Sequence, residues 1–136
     1  TNSVVALDAK TGRHRWHAKQ VPHDGWNYEA AVGLMVADVP VGGKTRHVVI
    51  SVPKQGFAYV YDAATGDFLA GTQYVEVAWA KGLDAKGRPI PNPDAMYWNR
   101  PGQETLILPG GMGAHARRIR GPAPPRGRRS HRCRRR

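Results

Sequence analysis

Two short segments carry polar side chains of the kinds that do chemistry in active sites. Asp24, Asn27 and Glu29 crowd around Trp26, and Lys54 stands alone on a tight turn before the next apolar run. An amide oxygen can hydrogen-bond a substrate or bind a hard cation, a carboxylate can bind metal or accept a proton, and an ammonium group can stabilise developing negative charge. The same residue types are also common in solvated surface loops and turns. Residue types alone leave both interpretations open.

The elements that must position these side chains are short strands. Apolar runs rich in Val, Tyr and Ile alternate with Gly, Pro, Asn and Asp, and nothing between them has sustained helical periodicity. The predicted strands are Val4–Asp8, Arg15–Lys19, Gly33–Asp38, Arg46–Val52, Phe57–Asp62, Tyr74–Ala80 and Thr105–Leu108. On an extended segment, Asn27 and Glu29 would share one face because residues i and i+2 do. The sequence therefore predicts an all-β fold.

A strand followed by an Asp-x-x-Thr-Gly turn occurs twice. Asp8, Thr11 and Gly12 recur as the corresponding residues of the second copy at an offset of 54 residues. The Asp side chain can accept backbone N–H bonds within such a turn, and Gly supplies a positive φ. A β unit with a period near ~50 residues is typical of a propeller blade, and this chain has room for roughly two. A partial echo at Leu83 to Gly87 predicts a hairpin inside a blade.

Nearly all of the net positive charge comes from the end of the chain. The net charge is +11, but ten of the 21 Lys and Arg residues lie between Arg117 and Arg136. The preceding part is nearly neutral, with eleven basic and ten acidic residues. Residues 116–136 are rich in Arg, Pro and Gly, which predicts a disordered tail because little apolar surface can be buried. This composition is also typical of GC-rich DNA translated out of frame, which is our interpretation of the tail.

Several ordered motifs between Thr1 and His115 resemble the quinoprotein alcohol dehydrogenases. The segment from Ala6 to Trp16 is similar to the tryptophan-docking motif of that family, in which the Trp stacks on the next blade. The family's pattern also matches, in order, Pro22 to Tyr28, Lys54 to Asp62, Gly82 to Ile90 and Gly113 to His115.

The resemblance implies part of an eight-bladed propeller, over residues 1–115, from a periplasmic enzyme. It implies pyrroloquinoline quinone (PQQ) and a Ca²⁺ or lanthanide ion as cofactors. The implied partners are a small alcohol, or a related sugar or aldehyde, a cytochrome that accepts the electrons, and the remaining blades. We expect this fragment alone to be inactive, because the missing blades would supply more of the cofactor cage.

The resemblance also assigns roles to the residues of the opening segments. Asn27 occupies the position of the family's catalytic Asp, an important departure because an amide has no useful basicity. Glu29 stands where lanthanide-using members carry an additional carboxylate, so it is a candidate metal ligand or replacement base. Lys54 falls where a Lys or Arg hydrogen-bonds the quinone oxygens.

Two other classes of function stay open. A non-catalytic propeller module for binding or assembly would keep the fold and lose the base, as Asn27 suggests. A basic nucleic-acid-binding protein is the weaker alternative, because it rests only on the tail, which lacks interleaved aromatic residues. Because only the tail supports the nucleic-acid alternative, we expect no nucleic-acid partner. No apolar run approaches the ~18 residues of a membrane helix, so we expect no membrane span in this chain. The single cysteine, Cys133, excludes a disulfide framework in the body.

Overall fold

The computed structural model describes residues 2–28, 32–109 and 117–123 and shows an all-β chain. Its regular elements in these ranges are strands and two short 3₁₀ helices. The strands are β1 (Ser3–Leu7), β2 (His14–Lys19), β3 (Met35–Val41), β4 (Lys44–Ser51), β5 (Phe57–Asp62), β6 (Phe68–Gln73), β7 (Ala80–Leu83), β8 (Pro89–Pro91), β9 (Glu104–Ile107) and β10 (Arg117–Arg120). The 3₁₀ helices are Pro93–Ala95 and Tyr97–Asn99. Within the described ranges, no helix has the length and hydrophobicity that a membrane span requires.

The central element is an antiparallel sheet of four strands in the order β3-β4-β5-β6. Strand β5 alternates between buried and half-buried positions, with Phe57, Tyr59 and Tyr61 on the buried face. Side chains alternate between the two faces of a strand, so this pattern packs three aromatic rings into the core. The architecture is that of one four-stranded blade flanked by the hairpins β1-β2 and β7-β8 and the pair β9-β10.

Both Asp-x-x-Thr-Gly turns have the geometry that their residues predict. Asp8 Oδ1 accepts hydrogen bonds from the Thr11 hydroxyl and the Thr11 N–H, each at 2.9 Å. Asp62 Oδ1 accepts from the Thr65 N–H at 3.2 Å. These bonds lower the pKa of both carboxyl groups, with the Thr11 hydroxyl the largest cause at Asp8 and the Thr65 N–H the largest at Asp62.

Trp16 joins the β1-β2 hairpin to the four-stranded sheet. Its indole nitrogen donates to the carbonyl oxygen of Ala63 at 3.0 Å. Its ring covers Gly66 so closely that a Cβ there would lie 2.6 Å from the indole Cδ2. The ring also faces Tyr61 at 6.4 Å between centroids. The predicted docking of this Trp on the next blade is therefore confirmed.

The predicted strand Tyr74–Ala80 is wrong, and strand β6 was not predicted. The segment before Ala80 is irregular because contacts other than a ladder hold it: the Tyr74 hydroxyl donates to the carbonyl of Pro53 at 2.6 Å, and Val77 packs against Gly56. Strand β6 is mostly exposed and contains a Gly, so its sequence carries little alternation. The predicted hairpin at Leu83 to Gly87 is confirmed as the β7-β8 turn.

Four residues that the sequence assigned to a disordered tail form strand β10. The strand pairs antiparallel with β9, so Arg118 lies opposite Leu106 and Arg120 opposite Glu104. Both arginines also approach the Glu104 carboxylate, at 3.9 and 4.0 Å. For these four residues the expectation of disorder is corrected, because antiparallel backbone pairing with β9 orders them. Residues 124–136 lie outside the described part of the chain.

Candidate functional site

The loop that carries Asn27 is organised by one carboxylate. Asp24 Oδ1 accepts the N–H groups of Trp26 and Tyr28, each at 3.0 Å. Asp24 Oδ2 accepts the Tyr28 N–H at 2.8 Å and Nδ2 of Asn2 at 2.6 Å. Asn27 has a φ of 69°, in the left-handed region that Asn tolerates better than most residues. The loop is therefore wound tightly around Asp24, with an exposed Asn27 between two buried aromatic residues.

Trp26 and Tyr28 fix the loop to the core beneath it. The indole nitrogen of Trp26 donates to the carbonyl of Ala95 at 2.7 Å, and the Tyr28 hydroxyl donates to the carbonyl of Pro109. Burial, together with the negative charge of Asp24, raises the pKa of Tyr28 well above its usual value. The phenol therefore stays neutral and serves as a hydrogen-bond donor at ordinary pH.

Trp79 connects this loop to the turn that carries Lys54. Its fully buried ring lies 5.3 Å from that of Trp26 and 5.4 Å from that of Tyr28, between centroids. Its indole nitrogen donates to the carbonyl oxygen of Gln55 at 2.7 Å. One side chain thus touches the residues on both sides of Asn27 and the residue next to Lys54.

The turn from Pro53 to Gly56 is equally constrained. The Gln55 side chain accepts the N–H of Phe57 at 2.7 Å and donates to the hydroxyl of Tyr59. Gly56 has a φ of 104°, and a Cβ there would lie 2.5 Å from a Val77 methyl. Lys54 is half-buried in this turn. Its ammonium group is therefore attached to a rigid backbone.

The structure describes two of the three predicted site residues, Asn27 and Lys54. Asn27 and Lys54 lie on two loops that share Trp79 as a common support, and their contact with a cofactor stays a prediction. Glu29 lies outside the described residues. Asn27 lies in a loop with a left-handed backbone rather than on an extended segment. Its position relative to Glu29 therefore stays a prediction.

The donor chemistry of the loop suits one part of a hard-cation site. The exposed amide of Asn27 offers a neutral oxygen, which Ca²⁺ and lanthanides accept as one ligand among several. Over 2–28, 32–109 and 117–123, no three His, Cys, Asp or Glu side chains form a potential metal cluster. A metal ion at Asn27 would accordingly need further ligands from elsewhere.

Sequence reasoning missed three residues that support the site. The sequence places Asp24 among the polar residues near Trp26 but assigns it no function. An Asp whose carboxylate accepts N–H groups two and four residues on is nevertheless a recognisable loop signal. The Gln55 side chain bonds residues two and four positions on, Phe57 and Tyr59, which is a comparable local pattern. Trp79 gives no such signal, because its bond to the Gln55 carbonyl joins segments that are 24 residues apart in the chain.

Comparison with known proteins identifies the family. The family described as "PQQ: Glucose/ethanol/alcohol dehydrogenase, beta-propeller domain" matches residues 1–91. Lupanine 17-hydroxylase [cytochrome c] of Pseudomonas sp is 49% identical over 116 residues, which are 85% of this chain and 17% of that protein. The dehydrogenase subunit of alcohol dehydrogenase (quinone) of Komagataeibacter europaeus is 47% identical over 83% of this chain and 15% of that protein.

Solved structures agree with this result. Quinohemoprotein alcohol dehydrogenase of Comamonas testosteroni superposes with a TM-score of 0.76 at 37% identity, over 84% of this chain and 17% of that one. A europium-containing methanol dehydrogenase gives a TM-score of 0.76 at 29% identity, over 84% of this chain and 20% of that one. The chain thus spans less than a fifth of the curated relatives named above. It is a partial β-propeller that belongs to the PQQ-dependent glucose/ethanol/alcohol dehydrogenase family.

Proposed function

We propose that this chain forms part of the wall of an alcohol-oxidising site in a PQQ-dependent dehydrogenase. The observation that carries the proposal is the position of the buried Trp79 side chain. Its ring packs on the loop that contains Asn27, and its indole nitrogen donates to the turn that contains Lys54. Membership of the family supports the cofactor class. The remaining blades of the parent protein would complete the site.

Each residue has a role that its chemistry permits. When bound, PQQ supplies an electron-accepting carbonyl, and a Ca²⁺ or lanthanide ion supplies Lewis acidity. Lys54 would hold a positive charge near the quinone oxygens and stabilise negative charge there. Asn27 would hydrogen-bond the substrate hydroxyl or give its amide oxygen to the metal ion. Glu29 is the candidate that accepts the hydroxyl proton or adds a metal ligand.

The competing proposal is a propeller module that binds without catalysis. Asn27 favours it, because an amide cannot take the proton that the family's Asp takes. The two proposals differ in the expected effect of Asn27→Asp: a catalytic site without a replacement base gains turnover, whereas a binding module does not.

The electron acceptor is inferred from the names of relatives, and the compartment from the family resemblance. Lupanine 17-hydroxylase and the 1-butanol dehydrogenase of Thauera butanivorans both carry cytochrome c in their names. We extend a cytochrome acceptor, an alcohol-type substrate and a periplasmic location to the parent of this chain.

A chimera tests the proposal. Residues 1–115 replace the matching segment of the Comamonas testosteroni enzyme, and PQQ binding and dye-linked alcohol oxidation are measured. We expect PQQ to bind. A Glu29 that accepts the proton would keep kcat near that of the unaltered enzyme; without such a replacement base, kcat should fall by about 10²–10⁴-fold, the usual value of a general base. Asn27→Asp should then recover most of that loss.

The matched control is Asn99→Asp, the same chemical change at an exposed position on the second 3₁₀ helix. It should leave kcat unchanged. A folded chimera that does not bind PQQ would overturn the proposal. A chimera that binds PQQ with a lowered kcat but gains nothing from Asn27→Asp would favour the binding module. For the isolated chain we expect no turnover with added PQQ and Ca²⁺, and observed turnover would refute that expectation.

A further inference from the structure

We propose that Asp24 is the positioning residue of the Asn27 loop, a role that rests on the proposed function of that loop. Asp24 does not act on substrate or cofactor in this proposal. Its carboxylate sets the backbone path from Gly25 to Tyr28 and thereby the direction in which Asn27 presents its amide.

The first support is the convergence of donors on one side chain. The N–H groups of Trp26 and Tyr28 and the side-chain amide of Asn2 all donate to Asp24, at distances between 2.6 and 3.0 Å. Hydrogen bonds to a charged acceptor are about twice as strong as neutral ones. The carboxylate therefore replaces the regular backbone pairing that this loop lacks.

The second support is the backbone of Asn27 itself. Its φ of 69° is disfavoured for a residue with a Cβ. This conformation lies between the two N–H groups that Asp24 binds, so the carboxylate holds the peptide on each side of it. Without that acceptor, the loop would relax toward the commoner backbone regions and the Asn27 amide would turn away.

The alternative role of Asp24 is that of a metal ligand. Both of its oxygens already accept two hydrogen bonds each, and the donors come from the loop and from Asn2. A metal ion would have to displace those donors. The geometry thus points to a structural anchor for the site.

The experiment compares Asp24→Ala with Asp24→Asn in the whole chain by NMR amide exchange and by Tb³⁺ luminescence excited through tryptophan. Asp24→Ala should speed exchange of the Tyr28 N–H by about tenfold or more, as expected for loss of a hydrogen bond to a charged group. Asp24→Asn keeps one acceptor oxygen and should lose only part of the protection. Tb³⁺ binding should weaken in the same order.

Asp84→Ala is the matched control, because Asp84 likewise accepts two backbone N–H groups, those of Lys86 and Arg88, at 2.8 Å each. It should leave Tyr28 exchange and the Tb³⁺ response unchanged. Amides of β4 and β5 report whether a variant has unfolded as a whole.

Two results would overturn the proposal. If the Tyr28 N–H exchanges at an unchanged rate in Asp24→Ala, Asp24 does not hold the loop. If Asp24→Asn loses Tb³⁺ binding while its loop amides stay protected, Asp24 is a metal ligand. Absence of any Tb³⁺ response in the unsubstituted chain is the result expected if the further metal ligands come from other blades, and the metal part of the proposed function is then tested in the chimera. In that case the exchange rates alone decide whether Asp24 holds the loop.

Discussion

The indole nitrogen of Trp79 donates a hydrogen bond to the main-chain carbonyl of Gln55 across 2.7 Å. Both groups are buried, so neither can exchange this partner for water. Because the same ring packs on Trp26 and Tyr28, the bond ties the turn next to Lys54 to the loop that bears Asn27.

Trp79→Phe should lower the free energy of unfolding by about 1–3 kcal/mol, since the Gln55 carbonyl loses its donor in a buried environment. Urea unfolding measures the change. Trp98→Phe is the control, because Trp98 is only partly buried and its indole nitrogen donates no hydrogen bond within the described residues. Equal losses in the two variants would show that ring volume, rather than the hydrogen bond, supports the turn.

Gly66→Ala and Gly12→Ala separate backbone strain from tryptophan docking. Both glycines have positive φ, 77° and 69°, so both variants incur a strain of about 1–2 kcal/mol. A Cβ at Gly66 would also meet the Trp16 ring, whereas a Cβ at Gly12 meets nothing within 4 Å. Gly66→Ala should therefore cost about 1–3 kcal/mol more than Gly12→Ala in urea unfolding. Equal costs would contradict the docking of Trp16 on this turn.

Lys54→Gln in the chimera should lower kcat by about 10²-fold, the order seen when one preorganised charge-stabilising donor is removed. Gln keeps a hydrogen-bonding group at the end of a slightly shorter side chain and removes the charge. Steady-state kinetics with a dye acceptor measures the effect, and Lys44→Gln, an exposed change at the start of β4, is the matched control. If Lys54→Gln leaves kcat unchanged, Lys54 does not stabilise charge on the quinone and is only a residue of the turn.

Stability should decline in alkali because the buried phenols resist ionisation. Burial raises the pKa of Tyr61 to about 12, and burial also raises that of Tyr59. An unfolded Tyr titrates near pH ~10. The folded state binds the proton more tightly, so this stability is fully present below about pH 10 and is lost as the pH rises toward about 12.

Urea midpoints between about pH 8 and about pH 11, read together with phenolate absorbance, check this prediction. Tyr61→Phe should flatten the decline, because it removes one of the shifted phenols. A decline of the same slope in that variant would assign it to other groups.

Local sequence signals predicted the parts of the fold that short-range chemistry determines. The turns at Asp8 and Asp62 and the hairpin before Pro89 form because side chains bond their own neighbouring backbone. Strand β6 was not predicted because its sequence does not alternate between apolar and polar residues, and its strand conformation depends on pairing with β5.

The candidate site shows the same division. The sequence and its family resemblance selected Asn27 and Lys54, but the support from Trp79 depends on contacts between distant segments that no local pattern encodes. The left-handed backbone of Asn27 was likewise not predictable from alternation, because the Asp24 carboxylate imposes it through bonds to two later residues.

A crystal structure of the chimera with PQQ and Ca²⁺ bound tests the central claim most directly. The account predicts Lys54 Nζ within hydrogen-bonding distance, about 2.7–3.2 Å, of a quinone oxygen, and the Asn27 amide directed at the metal ion or the substrate position. A bound quinone that contacts neither the loop around Asp24 nor the turn at Gln55 would contradict it.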